Sequence, residues 1–337
     1  MTKTDDPTIL TLAGMRLDSA AAVRLESSLK SNPGDLNTRT KLLGYYMQRA
    51  FTDANARRLR AAHCRWVIRN CPDKEIAGTP FCQVDRILEP ANYRQVKALW
   101  DKTLKQRSKD IAVLSNAAQF HTSNDKRKAI SLLKRLQRIE PTNADWKERL
   151  GHLYHLQSMS MPGKKRNADA AGRAFEQWEA ALGLLTAEED RFYMLTHLAP
   201  VAVDAKRLNK AAHYARDLLQ HARKFRTNWN QGNAIHMAHL TLGRVALRHR
   251  QVEVAKKHLI ASARTKGSPQ LDSFGPTQDL AAELLAQGET KVVIRYLKLC
   301  GKFWSMGGTQ ISAWTKSILE SGTTDFMPVF DMGDADK

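Results

Sequence analysis

One spacing rule recurs through the second two-thirds of the chain and constrains its fold more than any other feature. A small residue is followed twelve, then four, then three positions later by residues that are themselves small or apolar. Ala117 leads to Ala129, Leu133 and Leu136, Ala199 to Ala211, Ala215 and Leu218, Gly243 to Ala255, Leu259 and Ser262, and Ala281 to Val293, Leu297 and Cys300. A fifth occurrence opens at Leu150 and Gly151, 34 residues after Ala117. Its second half, Ala174, Trp178 and Ala181, is delayed by an insertion near 157–168. Offsets of three and four place side chains on one face of a helix. The offset of twelve carries the chain through a turn into a second helix. Small side chains at fixed points let two helices approach closely while large ones fill the groove beside them.

The remaining text agrees with an all-α fold. Ala, Leu, Lys, Arg and Gln dominate, glycine and proline sit mostly between segments of helical period, and strand-like alternation is nearly absent.

With Phe120 three residues after Ala117, Pro141 closing that unit, and Tyr154 completing an LGxxY arrangement behind Trp146, the pattern resembles the tetratricopeptide repeat. The phrases GNAIHMAHLTLGR (232–244) and SPQLDSFGP (268–276) are also similar to segments of uncharacterised bacterial proteins of that family. The resemblance implies a right-handed α-solenoid of helix pairs, about five of them over 110–304. It implies a concave groove, lined by the first helix of each pair, that holds a partner. Around this array the expected organisation is an N-terminal tail at 1–17, divergent helical repeats or a cap at 18–109, a C-terminal cap at 305–321 and an acidic tail at 322–337. In the divergent part, Leu42-Leu43-Gly44-Tyr45-Tyr46 looks like a first helix and Arg60 to Ile68 like a second.

Charge narrows the partner. Lys and Arg number 53 against 34 Asp and Glu, a formal net charge of +19. A protein so basic is drawn to something acidic: nucleic acid, an acidic protein or peptide, or an anionic membrane face. Aromatics are only 7% of residues and no stacking motif interleaves them with bases, which favours an acidic protein or peptide over nucleic acid. Projected onto the repeat, the groove candidates are Arg149, His152, Tyr193, His197, Arg244 and Arg248. Arginine forks onto carboxylates, and tyrosine offers a rigid amphipathic contact. The family's clamp of groove lysines and asparagines for a terminal carboxylate is absent at the matching positions. A second basic set, Arg127, Lys128, Lys134, Arg135 and Arg138, falls on the outer face of a second helix.

Chemistry finds little to stand on. The GK pairs at Gly163-Lys164 and Gly301-Lys302 lack the flanking residues of a phosphate loop, and neither GxSxG nor HExxH occurs. His152 and His155, like His236 and His239, stand three apart on helices but have no third ligand at a completing spacing. Four irregularly spaced cysteines make neither a disulfide framework nor a zinc site. With no run long enough to span a membrane and no secretory signal, the expectation is a cytoplasmic, non-catalytic scaffold without cofactor or metal. In the acidic tail, Asp325, Asp331, Asp334 and Asp336 alternate with Phe326, Met327, Val329, Phe330 and Met332, a composition suited to lying across a basic surface.

Overall fold

A computed structural model describes residues 6–159 and 167–326. These form seventeen α-helices and, among the described residues, no strand. The chain divides into two compact units, Met1–Leu153 and Tyr154–Lys337.

The first unit contains α1 (Pro7–Met15), α2 (Ser19–Ser31), α3 (Leu36–Arg49), α4 (Ala54–Asn70), α5 (Pro90–Gln106), α6 (Ile111–Asn124) and α7 (Lys126–Ile139). The unit boundary falls inside α8 (Ala144–Ser158). Aspartates start six of these helices, α1 to α4, α6 and α7: the carboxylates of Asp6, Asp18, Asp35, Asp53, Asp110 and Asp125 each accept a first-turn N–H.

Residues 1–17, expected as a tail, in fact carry α1, which packs on α3. Two glycines make this possible. A Cβ on Gly14 would strike the carbonyl of Lys41, and a Cβ on Gly44 would strike the carbonyl of Thr11, so the two backbones touch where side chains are missing. Gly44 is the small residue in the LLGYY segment, and α1 is the neighbour it admits.

The helices on both sides of residue 110 lie within one compact unit. Asn116 on α6 donates to the carbonyls of Pro72 (3.0 Å) and Lys74 (2.9 Å). Phe120 stacks on Tyr93 of α5 at 5.7 Å, and Arg107 bridges Asp73 and Asp110.

The second unit contains α9 (Ala168–Leu182), α10 (Glu188–Asp204), α11 (Leu208–Lys224), α12 (Gln231–Arg248), α13 (Val252–Ser262), the short α14 (Pro269–Phe274), α15 (Asp279–Leu285), α16 (Thr290–Cys300) and α17 (Gly308–Ser321). From α9 to α13 each helix packs on the next, and first helices also meet first helices, α10 on α12 and α12 on α15. Short connections make the consecutive pairs antiparallel. Ala211, Ala215, Leu218, Ala255, Leu259, Val293, Leu297 and Cys300 are all fully buried at these crossings, as are Ala129 and Leu136 in the first unit. The expected C-terminal cap is α17, whose Trp314 and Ile318 close the core over α16. Among the described residues no helix is long and apolar enough to cross a membrane. Most of the acidic tail, 327–337, lies outside the described residues.

Candidate partner-binding face

Two first helices of the second unit, α10 and α12, and the short α14 enclose a cleft of about 350 Å³. Its lining holds no Lys, Arg, Asp or Glu side chain. Thr196 and His197 come from α10, and Asn233 and Met237 from α12. Gln270, Leu271 and Phe274 come from α14, and the turn Gly275–Thr277 at its C-terminal end completes the wall.

A line of hydrogen bonds holds the cleft together. The Thr196 hydroxyl donates to the Phe192 carbonyl at 3.1 Å. Asn230 Nδ2 donates to Thr196 Oγ1 at 3.2 Å, Asn233 Nδ2 to Asn230 Oδ1 at 3.0 Å, and Asn233 Nδ2 again to Gln270 Oε1 at 3.1 Å. Thr196, Asn230 and Asn233 are buried, so the relay sits in a low-dielectric setting where unmade bonds are costly. Pro200 stands inside α10 and has no N–H to give the Thr196 carbonyl, which departs from the regular helix ladder at the cleft wall.

The turn after α14 is fixed from behind by His236. Its Nε2 accepts from the Thr277 N–H at 3.2 Å, which leaves Nδ1 to donate to the Ser262 carbonyl at 3.0 Å. Full burial holds this imidazole neutral, lowering its pKa to about 4 against a weaker opposing pull from the Ser262 bond. Gly275 makes the turn at φ +78, where a Cβ would also collide with the Trp304 ring.

Aromatic surface flanks the cleft. Trp229 stacks on Tyr193 at 5.7 Å and is 56% exposed; Phe274 is 83% exposed. Tyr193 is oriented by its own bonds, donating to Glu189 at 2.9 Å and accepting from Asn228 Nδ2 at 2.8 Å.

The six residues projected from the repeat divide between the units. Arg149 and His152 lie in the first, the other four in the second. His197 lines the cleft, exposed with its ring 5.6 Å from Trp178, whereas Tyr193, one turn earlier on α10, is not among the lining residues. Arg149 is a tie between helices rather than an open groove donor. Its guanidinium gives 2.7 and 3.1 Å bonds to the hydroxyl and carbonyl of Ser115 on α6, and burial depresses its pKa. His152 lies half-buried, 3.6 Å from Glu148.

Arg244 differs most from the expectation. It is on the stripe of α12 that carries Asn233 and Met237, but it points into protein, with 6% of its surface exposed. Asp204 of α10 stands 2.9 Å away, Glu283 of α15 3.0 Å and Asp279 of α15 3.7 Å. Burial alone would lower its pKa, yet these three carboxylates overcome that and raise it. Arg248 forks onto Glu283 at 2.8 and 2.9 Å and stays 43% exposed at its side chain. The charge that the sequence offers to a partner is here met by acids of the same chain.

The His236 and His239 pair is likewise occupied. Both nitrogens of His236 are bonded as described, and His239 Nδ1 lies 3.1 Å from His258 Nδ1, its pKa lowered to about 4 by burial and then by His258. Among the described residues no group of three His, Cys, Asp or Glu side chains converges on a metal-sized site.

Projection of the register missed Asn233, Met237, Gln270, Phe274 and Trp229. A signal for most of them was present, because the two phrases 232–244 and 268–276 supply most of the lining of the same cleft, the rest coming from α10 and Thr277. Compared with known proteins, the chain matches no family model, and no curated protein resembles it significantly.

Proposed function

We propose that the chain is a non-catalytic scaffold, a tetratricopeptide-like α-solenoid, that holds an extended segment of an acidic partner protein on its first-helix face. The observation that carries this reading is the Asn233–Gln270 bond at the mouth of the cleft. With Asn233 Nδ2 and Gln270 Oε1 committed to each other, Asn233 keeps an acceptor and Gln270 keeps a donor. A peptide group supplies the matching N–H and C=O. Trp229 and Phe274 beside it provide apolar area for side chains on the same strand, at little entropic cost.

Charge and cleft have separate parts in this reading. The formal +19 steers an acidic partner toward the protein and speeds encounter, an effect that salt weakens. The neutral cleft then holds backbone and apolar side chains, so affinity there is less sensitive to salt.

The test is selection of a random peptide display library on the full chain. Peptides rich in acids around one or two apolar anchors should be enriched, and Trp229→Ser with Phe274→Ser should abolish their retention. Absence of any enriched family, or enrichment indifferent to both substitutions, rejects the reading. Tight binding of single-stranded RNA that collapses between 50 and 200 mM salt would instead assign the charge to nucleic acid.

A further inference from the structure

On the second-helix side of the second unit, α13 packs on α16 and leaves a groove of about 580 Å³. Its walls are predominantly basic, with the carboxylates of Glu253 and Glu289 also among the lining residues. Lys256 is already compensated, its Nζ 2.8 Å from Glu253 and 2.9 Å from Glu289. Lys257, Arg264, Lys291 and Arg295 line the same groove, and no described residue offers their side chains a carboxylate. Between them the floor is apolar, formed by Ile260, Ala261 and Val292. No aromatic ring lines it, so a stacked base finds no platform. The groove calls for carboxylates interleaved with apolar side chains.

The chain carries one segment of that composition. Residues 327–337 place Asp331, Asp334 and Asp336 among Met327, Val329, Phe330 and Met332, and they lie outside the described residues. The described chain ends on α17, the helix that packs on α16. Phe326 meets Trp314 of α17 edge to face at 5.4 Å and packs on the core that includes Val293 and Leu297 of α16. Eleven further residues reach at most about 38 Å, more than twice the length of α16, roughly 16 Å. A segment tethered so closely is present at an effective concentration on the order of millimolar.

We propose that the groove between α13 and α16 is the seat of this chain's own acidic segment 327–337. Its aspartates pair with Lys257, Arg264, Lys291 and Arg295, and its apolar side chains rest on Ile260 and Val292. The proposal is independent of the first-helix cleft, which lies on other helices.

Carbodiimide cross-linking of the full-length protein at low salt tests it, because that reagent joins a carboxylate to an amine only when the two are in contact. An equal mixture of ¹⁴N- and ¹⁵N-labelled chains, digested and read by mass spectrometry, separates links within a chain from links between chains. The expected result is a link from Asp331, Asp334 or Asp336 to Lys257 or Lys291 within one chain. It should fall at least tenfold in 1 M salt and at least tenfold in R264E/R295E, which keeps both lysines available. Links spread over lysines elsewhere, links unchanged by salt, or links found only between differently labelled chains would each overturn the assignment, the last by giving the groove to a second copy. The salt response of the unmodified protein keeps the test decisive if R264E/R295E does not fold.

Discussion

Asn233 on α12 and Gln270 on α14 are joined by an amide–amide hydrogen bond of 3.1 Å, 37 residues apart in sequence. The bond fixes which edge of each amide faces the cleft. Gln270 is exposed while Asn233 is buried, so on the proposed function the two residues would separate recognition from folding. Gln270→Ala should leave stability within about 0.5 kcal/mol of the parent and weaken a selected peptide roughly fivefold or more, since one charge-free hydrogen bond is worth about 1 kcal/mol. Asn233→Ala should cost about 1–3 kcal/mol in stability as well, by stripping a buried acceptor of its donor. Urea unfolding and peptide titration on the same samples distinguish the two outcomes.

Crossing of α1 over α3 at Gly14 and Gly44 makes Gly44→Val an overpacking mutation against backbone. It should destabilise the protein by about 1–3 kcal/mol and expose residues 1–17 to proteolysis before the rest of the chain. An unaltered digestion pattern would count against the close approach of the two helices.

Ala255 is fully buried where α12 and α13 meet. Ala255→Leu should lower stability by about 1–3 kcal/mol, because the core around it is filled and cannot yield three extra carbons without strain. A mutant melting with the parent would mean that the repeat register is misplaced.

Arg244 and Arg248 differ by one turn of helix and should differ greatly in consequence. Arg244→Ala strands Asp204 and part of Asp279 and Glu283 in a buried site, at a cost of roughly 3–5 kcal/mol. Arg248→Ala removes a half-exposed pair and should cost about 1 kcal/mol or less. Equal losses would contradict the inward placement of Arg244.

His236 gives the fold an acid limit. An unfolded imidazole takes a proton near pH 6.5, whereas in the fold His236 resists it until about 4. Its neutral bonding therefore contributes fully above pH 6.5, and that contribution drains away as pH falls toward 4. Each pH unit removes about 1.4 kcal/mol, so roughly 2 kcal/mol is gone by pH 5. Urea midpoints at pH 7.5 and pH 5 should separate accordingly. His236→Gln, which can offer a donor to Ser262 and an acceptor to Thr277 without titrating, should narrow the gap. His121 and His239, also held near 4 by burial, account for a slope that remains.

Much of the helix pairing was legible because it is written as periodicity: Ala117, Ala211 and Ala281 stand where close crossings demand them, and local spacing carries that demand. The cleft was legible only as two unexplained phrases. Its Asn233 and Gln270 meet because α14 is inserted between repeats, and an insertion has no register to project. Arg244 was placed on the right helix stripe and given the wrong role. Sequence spacing fixes where a side chain leaves the helix, but Asp204 and Glu283, some forty residues to either side, decide where its charge goes. Helix α1 was missed for a related reason, since the signal for it lay in Gly44 of another helix.

The arginine cluster has a mechanical consequence. Asp204, Arg244 and Glu283 belong to α10, α12 and α15, three first helices in succession, and bonds of 2.9 and 3.0 Å join them through one guanidinium. The interval between those helices is thereby set by bond lengths rather than by the softer fit of side chains. On the proposed function, a guest spanning the cleft would meet anchor points at fixed separation, like holes on a gauge. Inserting or deleting a single residue between its anchors shifts the second by about 3.3 Å, more than the gauge can yield, so length would sort guests before composition does.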